Sequence, residues 1–269
     1  MSTLAPTGRL STAAALSRLL PYWFTVARRT WRGSVVSSFL NPVFYVVAMG
    51  VLLGGFIDGD PERLDGATSY LAFIVPGLVA AHAMQTAVAD TSWPVFSNFK
   101  WNKVYDSMVA TPITVRQVAI AHLTFVALRV AATCAIFDLV IAAFGVFETW
   151  WGPFVALAAQ ALTGAAFATL MYGFACRIDS DAAFGVVFRI GIFPLFLFSG
   201  AFFPVSNLGA VGERLAQLTP LWHGVNLSRM FSIDRIDWSL ATLNLGVLLA
   251  VLAIGSWWAV TGLEKRLTT

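Results

Sequence analysis

Charge is what this chain has least of. Across 269 residues, Asp, Glu, Lys and Arg make up 12%, against about 25% in soluble globular chains, while hydrophobic residues reach 58%. A soluble fold of this size has too few charges to cover its surface. Lysine is the scarcest, with only Lys100, Lys103 and Lys265, and no G-x-x-x-x-G-K-[ST] run is present to cradle nucleotide phosphates. H-E-x-x-H and G-x-S-x-G are absent too, which removes the zinc-protease and α/β-hydrolase readings. The two cysteines, Cys134 and Cys176, both lie in apolar segments, too few for a metal cluster and badly placed for a structural disulfide. His82, His122 and His223 are far apart, so no metal is expected. The first twenty residues carry Arg9 and Arg18, with Pro21 close behind, leaving no continuous signal-peptide core.

What is present is length without charge. No Asp, Glu, Lys or Arg occurs in residues 33–57, 66–89, 149–176, 190–212 or 238–263. Each stretch exceeds the roughly 20 apolar residues that cross about 30 Å of hydrocarbon. Six spans are expected, near 34–57, 69–89, 115–146, 151–176, 182–202 and 239–262. The first contains Asn41-Pro42 and must begin before the proline to be long enough, with a kink there. The fourth is rich in small residues (Ala158, Ala161, Gly164, Ala165, Ala168), which predicts a central packing helix. With the N-terminus inside, eleven basic residues face the cytoplasm: Arg9, Arg18, Arg28, Arg29, Arg32, Lys100, Lys103, Arg116, Arg177, Lys265 and Arg266. Arg63, Arg214, Arg229 and Arg235 fall outside, so both termini are predicted cytoplasmic and the basic pI needs no nucleic-acid partner.

Three pieces between spans carry more pattern than a loop requires. In 16–32, Leu16, Leu19, Leu20, Trp23, Ala27 and Trp31 share a helical face, opposite Arg18, Thr25, Arg29 and Arg32. This predicts an interfacial helix on the inner leaflet, with Pro21 in its first turn. A topological anchor is the simpler alternative. In 90–114, Trp101, Val104, Tyr105, Met108 and Val109 follow i, i+3, i+4, i+7, i+8, which predicts a short amphipathic helix ended by Thr111-Pro112. Its stripe needs cover from headgroups or a protein groove. Thr114 and Gln117 then form a capping-box pattern opening the third span. After the fifth span, residues 199–238 stay apolar through Leu208, Val211, Leu215, Leu218, Leu221 and Trp222, as backbone dipping back into the outer leaflet would.

Ionisable residues inside spans normally face a partner or a wet path, because a mid-bilayer charge costs roughly 2.5–3.5 kcal/mol on insertion scales. Arg129 and Asp138 share the third span and Arg189 lies in the fifth. Nine residues apart, Arg129 and Asp138 point to opposite sides of a straight helix. Asp138 pairing with Arg189, direct contact with substrate and snorkelling all remain open at this point.

These pieces resemble the ABC-2-type exporter permeases. Asp106-Ser107-Met108-Val109-Ala110-Thr111-Pro112 is similar to that family's acidic-x-Met-Leu-x-Thr-Pro signature. Phe198-Ser199-Gly200-Ala201-Phe202-Phe203-Pro204, followed by Thr219-Pro220-Leu221-Trp222-His223, is similar to its Ser-Gly-x-x-Phe-Pro and Pro-Leu-x-His pair. Asp106 stands where Glu is usual, and Leu208-Gly209 where Leu-Pro is common. The chain is most similar to the branch that exports nodulation lipo-oligosaccharides and some drugs.

The resemblance implies an all-α membrane protein of six transmembrane helices, with an N-terminal interfacial helix and an extracellular re-entrant helical hairpin between the fifth and sixth spans. Residues 1–33 would be the cytoplasmic N-terminus and interfacial helix, 34–262 the transmembrane domain and 263–269 a cytoplasmic tail. Within the domain, 98–112 would be the coupling helix and 203–222 the outer hairpin. ATPase contacts would be Trp101, Tyr105, Asp106, Met108, Thr111 and Pro112, with Arg177 and Asp179 from a second turn. Ser199, Gly200, Phe202, Phe203, Pro204, Pro220 and His223 would form the outer gate. The chain would be a non-catalytic subunit in the cell membrane, binding no cofactor, with ATP and Mg on its partner. The working unit would hold two ATPase chains and a second permease chain, identical or not, and would move an amphipathic substrate among membrane lipids. A proton-coupled drug antiporter and a non-transporting assembly or signalling subunit are the alternatives.

Overall fold

The computed structural model describes residues 10–45, 47, 48 and 67–268, with backbone alone at 30–39, 41, 42 and 45. The regular structure of these residues is all helical, without strands. Helix α1 runs Thr12–Tyr45, α2 Tyr70–Thr91, α3 Trp93–Lys100, α4 Val104–Val109, α5 Val115–Ala142 and α6 Gly152–Ala175. Then come α7 Ala182–Val186, a π-helical turn Val187–Ile192, α8 Phe193–Phe198, a 3₁₀ turn Val205–Leu208, α9 Gly209–Gln217, α10 Pro220–Ser232 and α11 Trp238–Thr268. Four described helices are long and apolar enough to cross a membrane: Tyr70–Lys100, Val115–Ala142, Gly152–Ala175 and Trp238–Thr268. They match the second, third, fourth and sixth expected spans. The first, 34–57, lies partly outside the described residues, as does the loop after it.

Helix α6 is the centre, packed against α2, α5, α10 and α11. Its small residues make this possible: a Cβ added at Gly164 would sit 3.1 Å from the Ala83 carbonyl and 2.5 Å from a Val130 methyl. Helix α5 opens with the expected box, Gln117 N–H donating to Thr114 Oγ1 at 3.3 Å and Thr114 N–H to Gln117 Oε1 at 3.0 Å. Gln117 Nε2 also donates to the Leu10 carbonyl at 2.7 Å, tying the start of the described chain to α5.

Four expectations need correction. The interfacial segment is not separate, because α1 continues unbroken from Thr12 to Tyr45, and Pro21 lies inside it, not in its first turn. Of the amphipathic split, Leu19 and Trp23 are buried and Arg18, Thr25 and Arg29 exposed, while the Trp31 and Arg32 side chains lie outside what the structure describes. Leu19 and Trp23, however, pack on α5, while Tyr22, Phe24 and Val26 of α1 stay exposed. The helix expected across 98–109 is two: α3 ends at Lys100, and Lys103 takes a left-handed conformation (φ 52°) before α4 begins. The fifth expected span, 182–202, stops at Phe198. Its 17 residues reach only about 25 Å at 1.5 Å each, because Gly200 (φ 81°) turns the chain away. Beyond it, 203–222 is no simple hairpin, since the second arm continues as α10 to Ser232.

Candidate coupling and gating sites

At one end of the bundle, α3, α4 and the turn 177–181 meet. Tyr105 is fully buried, and its hydroxyl lies 2.7 Å from His122 Nδ1 on α5, a hydrogen bond whose donor depends on the imidazole tautomer. The His122 ring is stacked on Trp23 of α1, with centroids 3.9 Å apart and planes 5° apart. Burial pushes the Tyr105 phenol well above its ordinary pKa, so it stays neutral. Tyr105 is therefore the root of α4, not an outward contact. Met108 is half-buried and packs on the same core. Asp106 is part-buried, and its Oδ2 has no hydrogen-bond partner among the described residues. The exposed edge is Trp101 (58% exposed), Lys103, Ser107, Thr111 and Pro112.

The second predicted contact sits beside the first. Lys100 Nζ donates to the Asp179 carbonyl, and Arg266 of α11 donates to the Asp179 carboxylate at 2.7 Å and to the Ile178 carbonyl at 3.3 Å. The guanidinium holds the Asp179 carboxyl below the usual carboxylate range. Arg266 also lies over the Phe99 ring at 5.0 Å. Arg177 lies along the exposed seam of α6 and α11: it donates to the carbonyls of Gly173 and Trp258 at 2.8 and 2.7 Å and to Thr261 Oγ1 at 3.1 Å, pinning the two helices together. Sequence reading found this corner's two halves but not Lys100 and Arg266, which join them.

At the other end, Ser199-Gly200-Ala201 is held by a residue that sequence reading placed in an outer loop. Arg229 of α10 is 6% exposed; its Nε donates to the Phe73 carbonyl at 3.0 Å and its Nη2 to the Gly200 carbonyl at 2.6 Å. Its guanidinium lies 3.8 Å from the Phe73 ring centroid. The Tyr70 hydroxyl adds a bond to the Phe202 carbonyl at 3.3 Å, and Phe202 meets Phe196 edge-on at 5.0 Å. Pro204 is buried, Phe203 and Pro220 part-buried. His223 is buried against α11, its Nδ1 2.7 Å from Asn244 Oδ1. A cavity of about 270 Å³ lined by Gly200, Glu213, Trp222, Asn226 and Arg229 opens here. Arg229 was legible: Trp222, Val225, Arg229 and Ile233 share one helical face, and the other three are apolar.

The three intramembrane ionisable residues do not come together. Arg129 Nη1 pairs with Asp90 Oδ1 at 3.1 Å. Asp138 meets Gln160, not Arg189: Gln160 Nε2 donates to Asp138 Oδ1 at 3.2 Å and to Ser228 Oγ at 3.0 Å. Arg189 is exposed on the π-helical turn, beside Gln85, Phe188 and Phe193. Nothing in the spacing of Asp90 or Gln160 marked them as partners.

The ABC-2 type transporter family model matches residues 19–231. The chain belongs to the ABC-2 type transporter family. It is 27% identical to a Nodulation protein J of Neorhizobium galegae, over 97% of this chain and 99% of the relative. Nodulation protein J of Sinorhizobium fredii is 30% identical over 79% of this chain and 82% of its own length. That of Rhizobium leguminosarum bv. trifolii is 30% identical over 77% and 79%. As a member, this chain is the membrane subunit of an ABC exporter in the cell membrane, and the family implies an ABC ATPase partner.

Proposed function

We propose that this permease moves an amphipathic or lipid-linked cargo, such as a drug, glycolipid or lipo-oligosaccharide, outward on ATP hydrolysed by a separate subunit. Two permease chains and two ATPase chains form the unit, with both termini cytoplasmic. The observation that carries the reading is the corner formed by α3 and α4, where Lys100 reaches the turn 177–181. An exposed edge from Trp101 to Pro112 is rooted by Tyr105 in His122, and linked through Lys100 and Asp179 to the end of α11. A force on this edge reaches α1, α5 and α11 together, as a lever requires. The resemblance of the two motifs to the branch that exports nodulation lipo-oligosaccharides, with relatives named Nodulation protein J, supports such a cargo over an inorganic ion.

The outer motif then acts as the lid, with Phe202 and Phe203 nearest the exit. Exposed Val186, Arg189, Ile190 and Phe193 form the face available to the second permease chain. The antiporter alternative needs unpaired acids on several spans. Asp90 is instead paired with Arg129, and Asp138 bonded by Gln160. The test is Trp101→Asp on the exposed edge. The ATPase should co-purify several-fold less with this variant, while insertion and yield of the permease stay unchanged; full co-purification would reject the docking edge.

A further inference from the structure

An open groove of about 440 Å³ runs along the surface between the start of α5 and the second half of α11. Apart from Thr261, which receives Arg177, none of its lining residues belongs to the coupling corner or the outer motif. On α11 its wall is Ala253, Trp257, Val260 and Glu264, spaced i, i+4, i+7, i+11 and so on one helical face. Helix α5 supplies Arg116 and Ile120, one turn apart.

Depth decides what kind of surface this is. From Ala253 to Glu264 is eleven residues, about 16 Å at 1.5 Å each, which is close to half of a hydrocarbon core of about 30 Å. Ala253, Trp257 and Val260 lie in the charge-free run 238–263, Glu264 is the first charge beyond it, and Arg116 stands in the first turn of α5. The groove therefore descends from headgroup level towards mid-membrane along a single leaflet. Trp257 is 68% exposed in it, and a broad apolar face at that depth meets lipid.

The rim selects the lipid. Arg116 and Glu264 are both exposed, and neither side chain has an ion-pair or hydrogen-bond partner among the described residues. They line one groove without pairing with each other, so a headgroup entering it meets a cation and an anion together. A phosphate satisfies Arg116, and Glu264 then needs a cation that donates a hydrogen bond. Phosphatidylglycerol brings a phosphate and no cation, leaving Glu264 facing negative charge. A choline headgroup brings a cation without an N–H. An ethanolamine headgroup brings a phosphate and an ammonium with three N–H donors, which answers both residues.

We infer that this groove holds a resident phosphatidylethanolamine, bound as a component of the permease and not as cargo. The inference rests on the proposed orientation only for naming the leaflet as the inner one; binding itself needs neither that orientation nor an ATPase.

The test offers the full chain, purified in detergent, equal amounts of phosphatidylethanolamine, phosphatidylcholine and phosphatidylglycerol with identical acyl chains, and counts retained lipid by native mass spectrometry. Wild type should retain the ethanolamine lipid about fivefold over either competitor, the size of one added hydrogen bond. Arg116→Gln should weaken retention of all three, since each carries a phosphate. Glu264→Lys should reverse the order and favour phosphatidylglycerol. Both residues are exposed, so both variants should elute and melt as wild type does. No preference in the wild type, or a preference that survives Glu264→Lys, would overturn the site. A disulfide joining two chains that carry Trp257→Cys would put a second copy in the groove and overturn the lipid assignment. Failure of the lipid assay would leave the Trp101→Asp docking test, and with it the exporter reading, untouched.

Discussion

The two ends of this bundle hold their cations in opposite ways. At the outer end Arg229 is buried, with backbone carbonyls and a phenyl face around its guanidinium. At the coupling end Arg266 and Lys100 meet Asp179, whose side chain is 89% exposed. A buried guanidinium leaving carbonyls unpaired is costly to move, whereas an exposed ion pair is screened by solvent and easily remade. The outer motif is therefore fastened to α2 and moves with it. The coupling corner can be remade in each cycle, while its root at Tyr105 and His122 stays fixed.

The sharpest way to break this contrast is at Arg229. Arg229→Leu should destabilise the protein by on the order of 3 kcal/mol, since at least two buried carbonyls lose their donor. Loss of folded monodisperse protein in detergent is the readout, and Arg229→Lys should rescue it poorly, because an ammonium lacks the planar fork. Tyr105→Phe comes next, leaving His122 Nδ1 unsatisfied at a cost of about 1–3 kcal/mol. Thermal unfolding should shift down, and ATPase stimulation should fall with it. Gln160→Leu should cost a similar amount, about 1–3 kcal/mol, by stripping the Asp138 carboxyl of its donor.

Smallest is the Asp179–Arg266 link. Arg266→Ala should change melting by well under the shift of Tyr105→Phe, while ATPase coupling declines. Its pH dependence has a defined sign. The folded-state pKa of Asp179 is depressed, so its contribution is whole above the unfolded carboxylate value of about 4 and is lost as pH falls through the folded value. Coupling loss on raising the pH from 5 to 8 would contradict that assignment.

How much was legible in advance depends on where the signal lay. The second, third, fourth and sixth span positions came from apolar runs, and the Thr114–Gln117 box from local chemistry, so these are found where they were read. The break at Lys103 did not announce itself, because a lysine in a left-handed turn carries no glycine or asparagine signature. The face of α1 was readable, but not its occupant: an apolar stripe packs equally on lipid or on α5. Asp90, Gln160 and Arg229 find partners 22 to 156 residues away, and spacing along the chain says nothing about contacts that distant helices create.

The central claim is that the edge between α3 and α4 faces the cytoplasm and receives an ATPase. Ser107→Cys tests it directly, since Ser107 is exposed while Cys134 and Cys176 are both buried. A membrane-impermeant maleimide should label this cysteine only after cells are permeabilised, and co-expression of the ATPase should protect it. Labelling in intact cells would place the edge outside and contradict the account.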